Sequence, residues 1–361
     1  MTFIDQKDDI LVWVLAPFLQ TEDENLKFYY DYTQSIAEYT KVFSSLKCSW
    51  KWENITLDNI DFVIEKIIAQ KDKINIAFNI CDGDEINGTP GISVINALIK
   101  NNIIFTGADA FFYNITTSKI PMKAAFNKWK VSTAAWKVID NKTGLENIFD
   151  ELGKTLIVKP AVSGGSMGLK AINVVENITD LLEVVKDINN GYRGWKLNID
   201  GIFVETFIKG REFTSFIVGS HYNEENLIFY SPVERVFHES LNDKEKILSF
   251  DRLWETYDTE TAMPNEECVY NYAEVEHDLC ERIKKISIDA YKAVGGMGYG
   301  RIDIRMDDNT NELFVLEVNA QSGLSEDEDY TSIGAILRFS NKTFTQLVVE
   351  IIQDGINRYK N

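Results

Sequence analysis

Asp303, Glu317 and Asn319 stand in the stretch Gly300–Asn319, on two apolar runs separated by the polar turn DDNTNE. Such runs form a hairpin, and alternation along a strand puts Arg301 and Asp303 on one face and Glu317 and Asn319 on one face of the partner. Two carboxylates and an amide oxygen on one sheet surface are a hard oxygen-ligand set, suited to a Mg²⁺ that keeps waters and shares substrate phosphates. Arg301 beside them would stabilise charge on a transferring phosphoryl group, so the pattern reads as a phosphoryl-transfer centre. Taken alone, the same letters also describe a solvated surface hairpin.

Two upstream segments add to the pattern. In TLIVKPAVSGGSMG, an apolar strand ends at Lys159 and runs into a loop containing Gly164, Gly165, Ser166, Met167 and Gly168. Glycines let backbone N–H groups close over anionic oxygens, and Lys159 adds a cation, so this reads as a flap over phosphates. Neither the P-loop pattern GxxxxGK[ST] nor the dinucleotide pattern GxGxxG is present. In FVETFIKGREF, Glu205 and Glu212 flank a turn at Lys209-Gly210. Carboxylates there can accept from an adenine amino group or ribose hydroxyls, with Phe207 and Ile208 as an apolar wall for a base.

The elements that must position these residues follow from periodicity. Ile10–Leu15 and Ile74–Ile80 read as buried strands, about Asn25 to Leu46 and Ile92–Lys100 as helices, and IIFTG at 103–107 as a closing strand. Alternating strand and helix predict an α/β first unit with a boundary near Ala108. Thr116–Trp129 reads as one capped helix with Pro121 in its first turn. Strands at Trp136–Ile139, Thr155–Lys159 and Ala171–Val175 and a helix after Thr179 make a small α+β unit to about Phe203. The remainder holds the strands VETFI and FTSFIVG, a polar excursion from about Glu234 to Pro264, a helix Ala273–Val294, and the hairpin.

Composition narrows the classes. A net charge of −19 argues against a general nucleic-acid binder, which needs cationic contacts to phosphate. Cys48, Cys81, Cys268 and Cys280 show no CxxC spacing and no paired histidines, so a zinc site has no support. MTFIDQKDDI lacks the basic and apolar regions of a signal peptide, and no apolar run is long enough for a membrane span, so a cytoplasmic protein is expected.

The ordered set IVKP with a glycine-serine loop, VE.FI.GREF, GR.D and LE.N..SG resembles the D-alanine:D-alanine ligase family of the ATP-grasp superfamily, from about Asn79 to the C-terminus. The resemblance implies a three-domain α/β ATP-grasp fold: a Rossmann-like domain at 1–107, a central grasp domain at 108–203 carrying the flap, and a C-terminal grasp domain at 204–361. It implies that Lys119 and Lys159 bind ATP phosphates, with Lys123 the substitute for the first. It makes Gly164, Gly165, Ser166 and Met167 the flap, Glu205 the adenine contact beside Phe207 and Ile208, and Glu212 the ribose contact. Asp303, Glu317 and Asn319 would hold one or two Mg²⁺, with Mn²⁺ an acceptable replacement. Arg301 would stabilise the acyl-phosphate and tetrahedral intermediate, with Ser166 and the backbone N–H groups near Ser322-Gly323 assisting.

The implied activity is amide or peptide bond formation between amino-acid-like substrates, releasing ADP and phosphate. True D-alanine:D-alanine ligation and a non-catalytic ATP-binding regulator are the alternatives, and a homodimer is the family's analogy. The substrate side departs from the family. The first strand is followed by APFLQTEDE, without a glycine-rich turn and the expected glutamate. Arg252, Trp254 and Tyr257 are candidates for a lid, Thr331 or Ser332 for a carboxylate contact. The acidic run Glu326–Asp329 beside the implied amine pocket suggests either a nucleophile with extra positive charge or solvated loop charges.

Overall fold

Ile10–Pro17 (β1) is buried at every position because it is an inner strand covered on both faces. It pairs in parallel with Ser49–Ile55 (β2) and Ile74–Asn79 (β3), and β3 pairs with Ile104–Phe105 (β4). A computed structural model describes residues 2–22, 30–140, 144–255, 260, 262–263 and 268–360. One face of this sheet packs on the helices Ile60–Ala69 and Ile92–Lys100 through Trp13, Leu15, Val63, Ile67 and Leu98. The other face packs on the helix Thr33–Leu46 and on the helix Phe344–Lys360.

The second sheet has the order β5-β8-β6-β7, built from Trp136–Ile139 (β5), Leu156–Pro160 (β6), Val174–Val175 (β7) and Ile202–Thr206 (β8). All its pairings are antiparallel, and the helix Ile178–Asn190 covers one face with Leu181, Val184 and Ile188. The third sheet is antiparallel in the order β11-β10-β9-β12-β13. Its strands are Glu212–Val218 (β9), Ile228–Phe237 (β10), Tyr270–Glu274 (β11), Tyr299–Met306 (β12) and Leu313–Ala320 (β13). The helix His277–Ala293 packs against it through Leu279, Ile283 and Ala290. The fold class is therefore α/β, one parallel sheet with two antiparallel ones, as the strand and helix pattern predicts.

Several elements differ from their sequence reading. The single helix expected over Thr116–Trp129 is two, Ala110–Thr117 and Lys119–Trp129, broken at Ser118, whose backbone is extended (φ −111°, ψ 130°). At the break the Lys119 N–H leaves helical pairing and donates to Ala161 O at 2.8 Å, which ties the second helix to the end of β6. The polar excursion begins inside β10, whose last residues are Glu234–Phe237, and the start of the expected helix Ala273–Val294 belongs to its partner β11. Ala171–Val175 is a turn followed by two paired residues, and of 103–107 only Ile104 and Phe105 pair. The first helix starts at Thr33, and residues 25–29 of its expected span lie outside the described residues.

Candidate functional site

The second and third sheets open a cleft of about 850 Å³ between them, floored by β9, β12 and β13 and roofed by the loop after β6. At one end the hairpin register is as the alternation requires: Arg301 faces Asn319 and Asp303 faces Glu317. Asp303 Oδ2 takes the Arg301 Nη2 donor at 2.9 Å and Asn319 Nδ2 at 3.0 Å, while Thr214 Oγ1 donates to its Oδ1 at 2.9 Å. Asn319 Nδ2 also reaches Glu317 Oε1 at 3.3 Å, so the amide group bridges the two carboxylates. Turning that amide presents its oxygen instead, a choice set by the hydrogen-bond network. Among the described residues no three His, Cys, Asp or Glu side chains cluster as a metal site. Two carboxylates and an amide nonetheless fit a Mg²⁺ that completes its shell with water and phosphate.

Lys119 Nζ lies 3.2 Å from Glu317 Oε2 and donates to Ser163 O and Oγ, linking the acidic end of the cleft to the flap. Burial would raise the Glu317 carboxyl, but Lys119, Arg301 and Lys159 outweigh it and hold Glu317 down at about 2. Glu317 keeps a quarter of its side chain open to the cleft, so its charge is available to a ligand. It is therefore an anion throughout the neutral range.

Further along the cleft, Glu205 sits almost fully buried between two lysines. Lys159 Nζ is 2.8 Å from Oε1, and Lys123 Nζ is 2.5 Å from Oε2 without hydrogen-bond alignment. Burial pushes the Glu205 carboxyl up, and Lys123 and Lys159 together more than reverse it. Lys123 is lowered by burial and by Lys159, although Glu205 opposes this. Helical spacing alone does not separate Lys119 from Lys123. Burial does: Lys119 lines the cleft, whereas Lys123 is 1% exposed and supports Glu205 from behind.

Glu212, expected to meet a ribose, has both oxygens committed. Oε2 accepts from Arg305 Nε at 3.0 Å and Nη2 at 2.9 Å, and Oε1 accepts from Arg235 Nη1. Arg305 in turn lies 5.1 Å over the Phe207 ring and donates to Ile208 O at 3.0 Å, and Phe207 and Ile208 both line the cleft here. Neither arginine was anticipated. Arg305 continues the alternation Arg301, Asp303, Arg305 along β12 and was legible there; Arg235 lies on β10, whose strand character its charges conceal.

In the flap, Gly165 and Ser166 take left-handed backbone (φ 55° and 62°), and the Ser166 hydroxyl donates to Leu248 O at 2.8 Å rather than into the cleft. Gly164 and Met167 line the cleft, and a Cβ on Gly164 would meet nothing within 4 Å, which leaves room for a phosphate. Trp254 Nε1 donates to Gly165 O at 3.1 Å, so the segment around Phe250–Leu253 lies on the flap. Arg252 is held by Glu260 at 3.0 Å and does not line the cleft, and Tyr257 lies outside the described residues.

At the opposite end the cleft is bounded by the loop after β3 and by residues 322–332. Gly323 is open to the cleft, and a Cβ there would meet nothing within 4 Å. Thr331 caps the helix Ser332–Phe339 and donates to Asp327 O at 2.6 Å, which commits its hydroxyl; both Thr331 and Ser332 line the cleft. Of the acidic run, Glu326 is paired with Lys41 at 2.8 Å, Glu328 and Asp329 face outward, and only Asp327 lines the cleft.

Comparison with known proteins gives this arrangement a context. The family model described as D-ala D-ala ligase C-terminus matches residues 122–353. The D-alanine–D-alanine ligase of Bordetella avium is 25% identical over 263 residues, 73% of each chain. That of Idiomarina loihiensis is 23% identical over 82% of this chain and 84% of its own. Among solved structures, the D-alanine–D-alanine ligase of Bacillus anthracis complexed with ATP superposes with a TM-score of 0.64 at 18% identity, covering 97% of this chain and 98% of its own. The corresponding enzyme of Coxiella burnetii gives 0.64 at 16% identity over 97% and 96%. With the family model covering more than half of its length, the chain belongs to the D-alanine–D-alanine ligase family and is an ATP-grasp ligase that forms carbon–nitrogen bonds.

Proposed function

We propose that the protein joins the carboxylate of one amino-acid-like substrate to the amine of another through an acyl-phosphate, releasing ADP and phosphate. The observation that carries this reading is the convergence of Arg301, Asp303, Glu317 and Asn319 at one end of the cleft with Lys119 and Lys159 beside them. Asp303, Glu317 and Asn319 would hold the divalent ion, Mg²⁺ in this reading, which supplies charge neutralisation for phosphoryl transfer. Lys119 and Lys159 bind phosphate oxygens, and the backbone N–H groups of Gly164 to Met167 close over them. The donor carboxylate attacks the γ-phosphate, and the amine then displaces phosphate from the acyl carbon. Arg301 stabilises the charge that appears on the acyl oxygen, with the backbone N–H near Gly323 as a second donor. The Phe207–Ile208 wall carries the base. Glu205 is the adenine contact, its carboxylate fixed by its two lysines, and Glu212 is held by its arginines as the floor beneath the sugar.

The test is phosphate release by purified protein with MgATP against pairs of amino acids, D-alanine included, with the product identified by mass. A peptide or amide product formed in step with phosphate is expected, and its rate falls about 10²–10³-fold in Arg301→Ala. ATP binding with no phosphate released for any pair would instead favour a non-catalytic nucleotide binder.

A further inference from the structure

At the substrate end of the cleft, three carboxylates from two loops line its walls, and among the described residues no cation is paired with them. Asp82 and Asp84 come from the loop after β3, and Asp327 comes from the loop after β13. Their hydrogen-bond partners are neutral: Asp84 accepts from Asn87 N and Nδ2, both at 2.8 Å, and Asp327 from the Asp329 and Tyr330 N–H groups at 3.1 and 3.0 Å. The cations that line the same cleft, Lys119, Lys159, Arg235, Arg301 and Arg305, are each already paired with a carboxylate of the nucleotide end.

Two buried polar groups beside this acidic wall lack partners among the described residues. Ser322 lines the cleft and is 7% exposed, and its buried Oγ has no hydrogen-bond partner among the described residues. Glu38 is 6% exposed; its Oε1 takes Ser325 Oγ at 2.7 Å and Gln34 Nε2 at 3.1 Å, and its Oε2 has none. Gln34 and Ser325 line the cleft, so Glu38 stands directly behind the wall, and Gln34 also reaches Asp327 at 3.4 Å. The neighbour of Ser322, Gln321, donates to Asn79 O at 2.9 Å, which joins the two loops at the end of β3. Buried polar groups left unmatched cost stability, and Ser322, on the cleft lining, is placed where a ligand can meet it.

Charge counting sets the chemistry of that ligand. Of two neutral amino acids in a ligation, the donor keeps its ammonium, whereas the acceptor must present an uncharged amine to react and also brings its own carboxylate. One cation would then face three carboxylates and a fourth behind them. Resting on the ligase reading above, we propose that one substrate is a diamino acid, or an amino acid carrying an equivalent side-chain cation, whose second nitrogen is held by Asp82, Asp84 and Asp327. The loop is shaped for this: a Cβ on Gly83 would stand 2.1 Å from Thr89 O, so only glycine lets the loop fold back and turn both aspartates into the cleft. Asp82 is exposed to the cleft, where the surrounding protein and then the neighbouring Asp84 push its carboxyl up to about 6, and a bound ammonium would lower it again.

The test is calorimetric binding to the full chain with MgADP, using ornithine against its isostere norleucine and 2,4-diaminobutyrate against norvaline, each in both enantiomers. The diamino member of a pair is expected to bind at least about tenfold tighter, the worth of a charge-assisted hydrogen bond. Asp82→Asn with Asp84→Asn should erase that difference, and Asp327→Asn should reduce it. Equal affinities within each pair, or no binding of either diamino acid, overturns the proposal. Peptide formation with no charge preference would sink this inference and leave the ligase reading standing; charge-selective binding without phosphate release would do the reverse.

Discussion

Glu205 shows how one side chain serves stability and site at once. Its carboxylate is 1% exposed and lies against Lys123 and Lys159 at 2.5 and 2.8 Å. Removing its charge strands Lys123 in the interior, so Glu205→Gln should cost about 3–5 kcal/mol in denaturant unfolding, as breaking a buried pair does. Lys123→Met leaves Glu205 paired with Lys159 and should cost clearly less. Asp82 has the opposite sign. Its carboxyl is raised to about 6 from the ordinary 3.8, so folding favours the protonated acid. The resulting penalty is absent below the unfolded value and fully present above the folded one. Asp82→Asn is therefore expected to raise the melting temperature at about pH 7.5, by a small amount because Asp82 is open to cleft water, and to leave it unchanged at about pH 3. An equal gain at both values would contradict this. The residue types at the metal end were legible because strand alternation alone brings Asp303 against Glu317. The resemblance ranks Lys119 above Lys123, but helical spacing alone does not separate them, because they share a helix face and only tertiary packing buries one of them.

Among the elements, the flap and the segment above it act as a pair. Trp254 Nε1 holds Gly165 O at 3.1 Å, Ser166 Oγ holds Leu248 O at 2.8 Å, and Phe250 N holds Leu169 O at 3.0 Å. Trp254→Phe keeps the ring and removes one of these bonds, worth about 1 kcal/mol. Steady-state kinetics should show KM for ATP rising about fivefold with kcat changed less; an unchanged KM would mean that the segment does not order the flap. Strands with continuous apolar runs, such as β1, β3 and β9, and the alternating hairpin are readable from the sequence. β10 and β11 are not, because Pro232, Glu234 and Arg235 give a polar signature, and tertiary pairing of Arg235 with Glu212 is what makes that stretch a buried strand. The break at Ser118 was hidden too, since it depends on Ala161 competing for the Lys119 N–H.

Across the whole molecule, one core connects the first sheet to the third. Ile10, Val12 and Val14 of β1 share it with Phe216 of β9, Tyr299 of β12, and Leu347, Ile351 and Ile352 of the helix Phe344–Lys360. That helix also reaches back to the start of the chain, where Phe3 N donates to Gln353 Oε1 at 2.7 Å, and to Gly107 O through Arg358 Nη2 at 2.9 Å. Ile351→Ala, a large-to-small change at a fully buried site, should cost about 2–5 kcal/mol. Hydrogen exchange is expected to accelerate together in β1 and β9; acceleration in only one would show that the two sheets do not share this core energetically. No helix among the described residues is long and apolar enough to cross a membrane. The central claim, that the Arg301–Asp303–Glu317–Asn319 end of the cleft activates a carboxylate by phosphorylation, is tested most directly with a substrate whose carboxylate is labelled with ¹⁸O. The account predicts one labelled oxygen in each phosphate released, and no labelled phosphate from Arg301→Ala beyond its residual turnover. Phosphate released without label, alongside normal product formation, would contradict it.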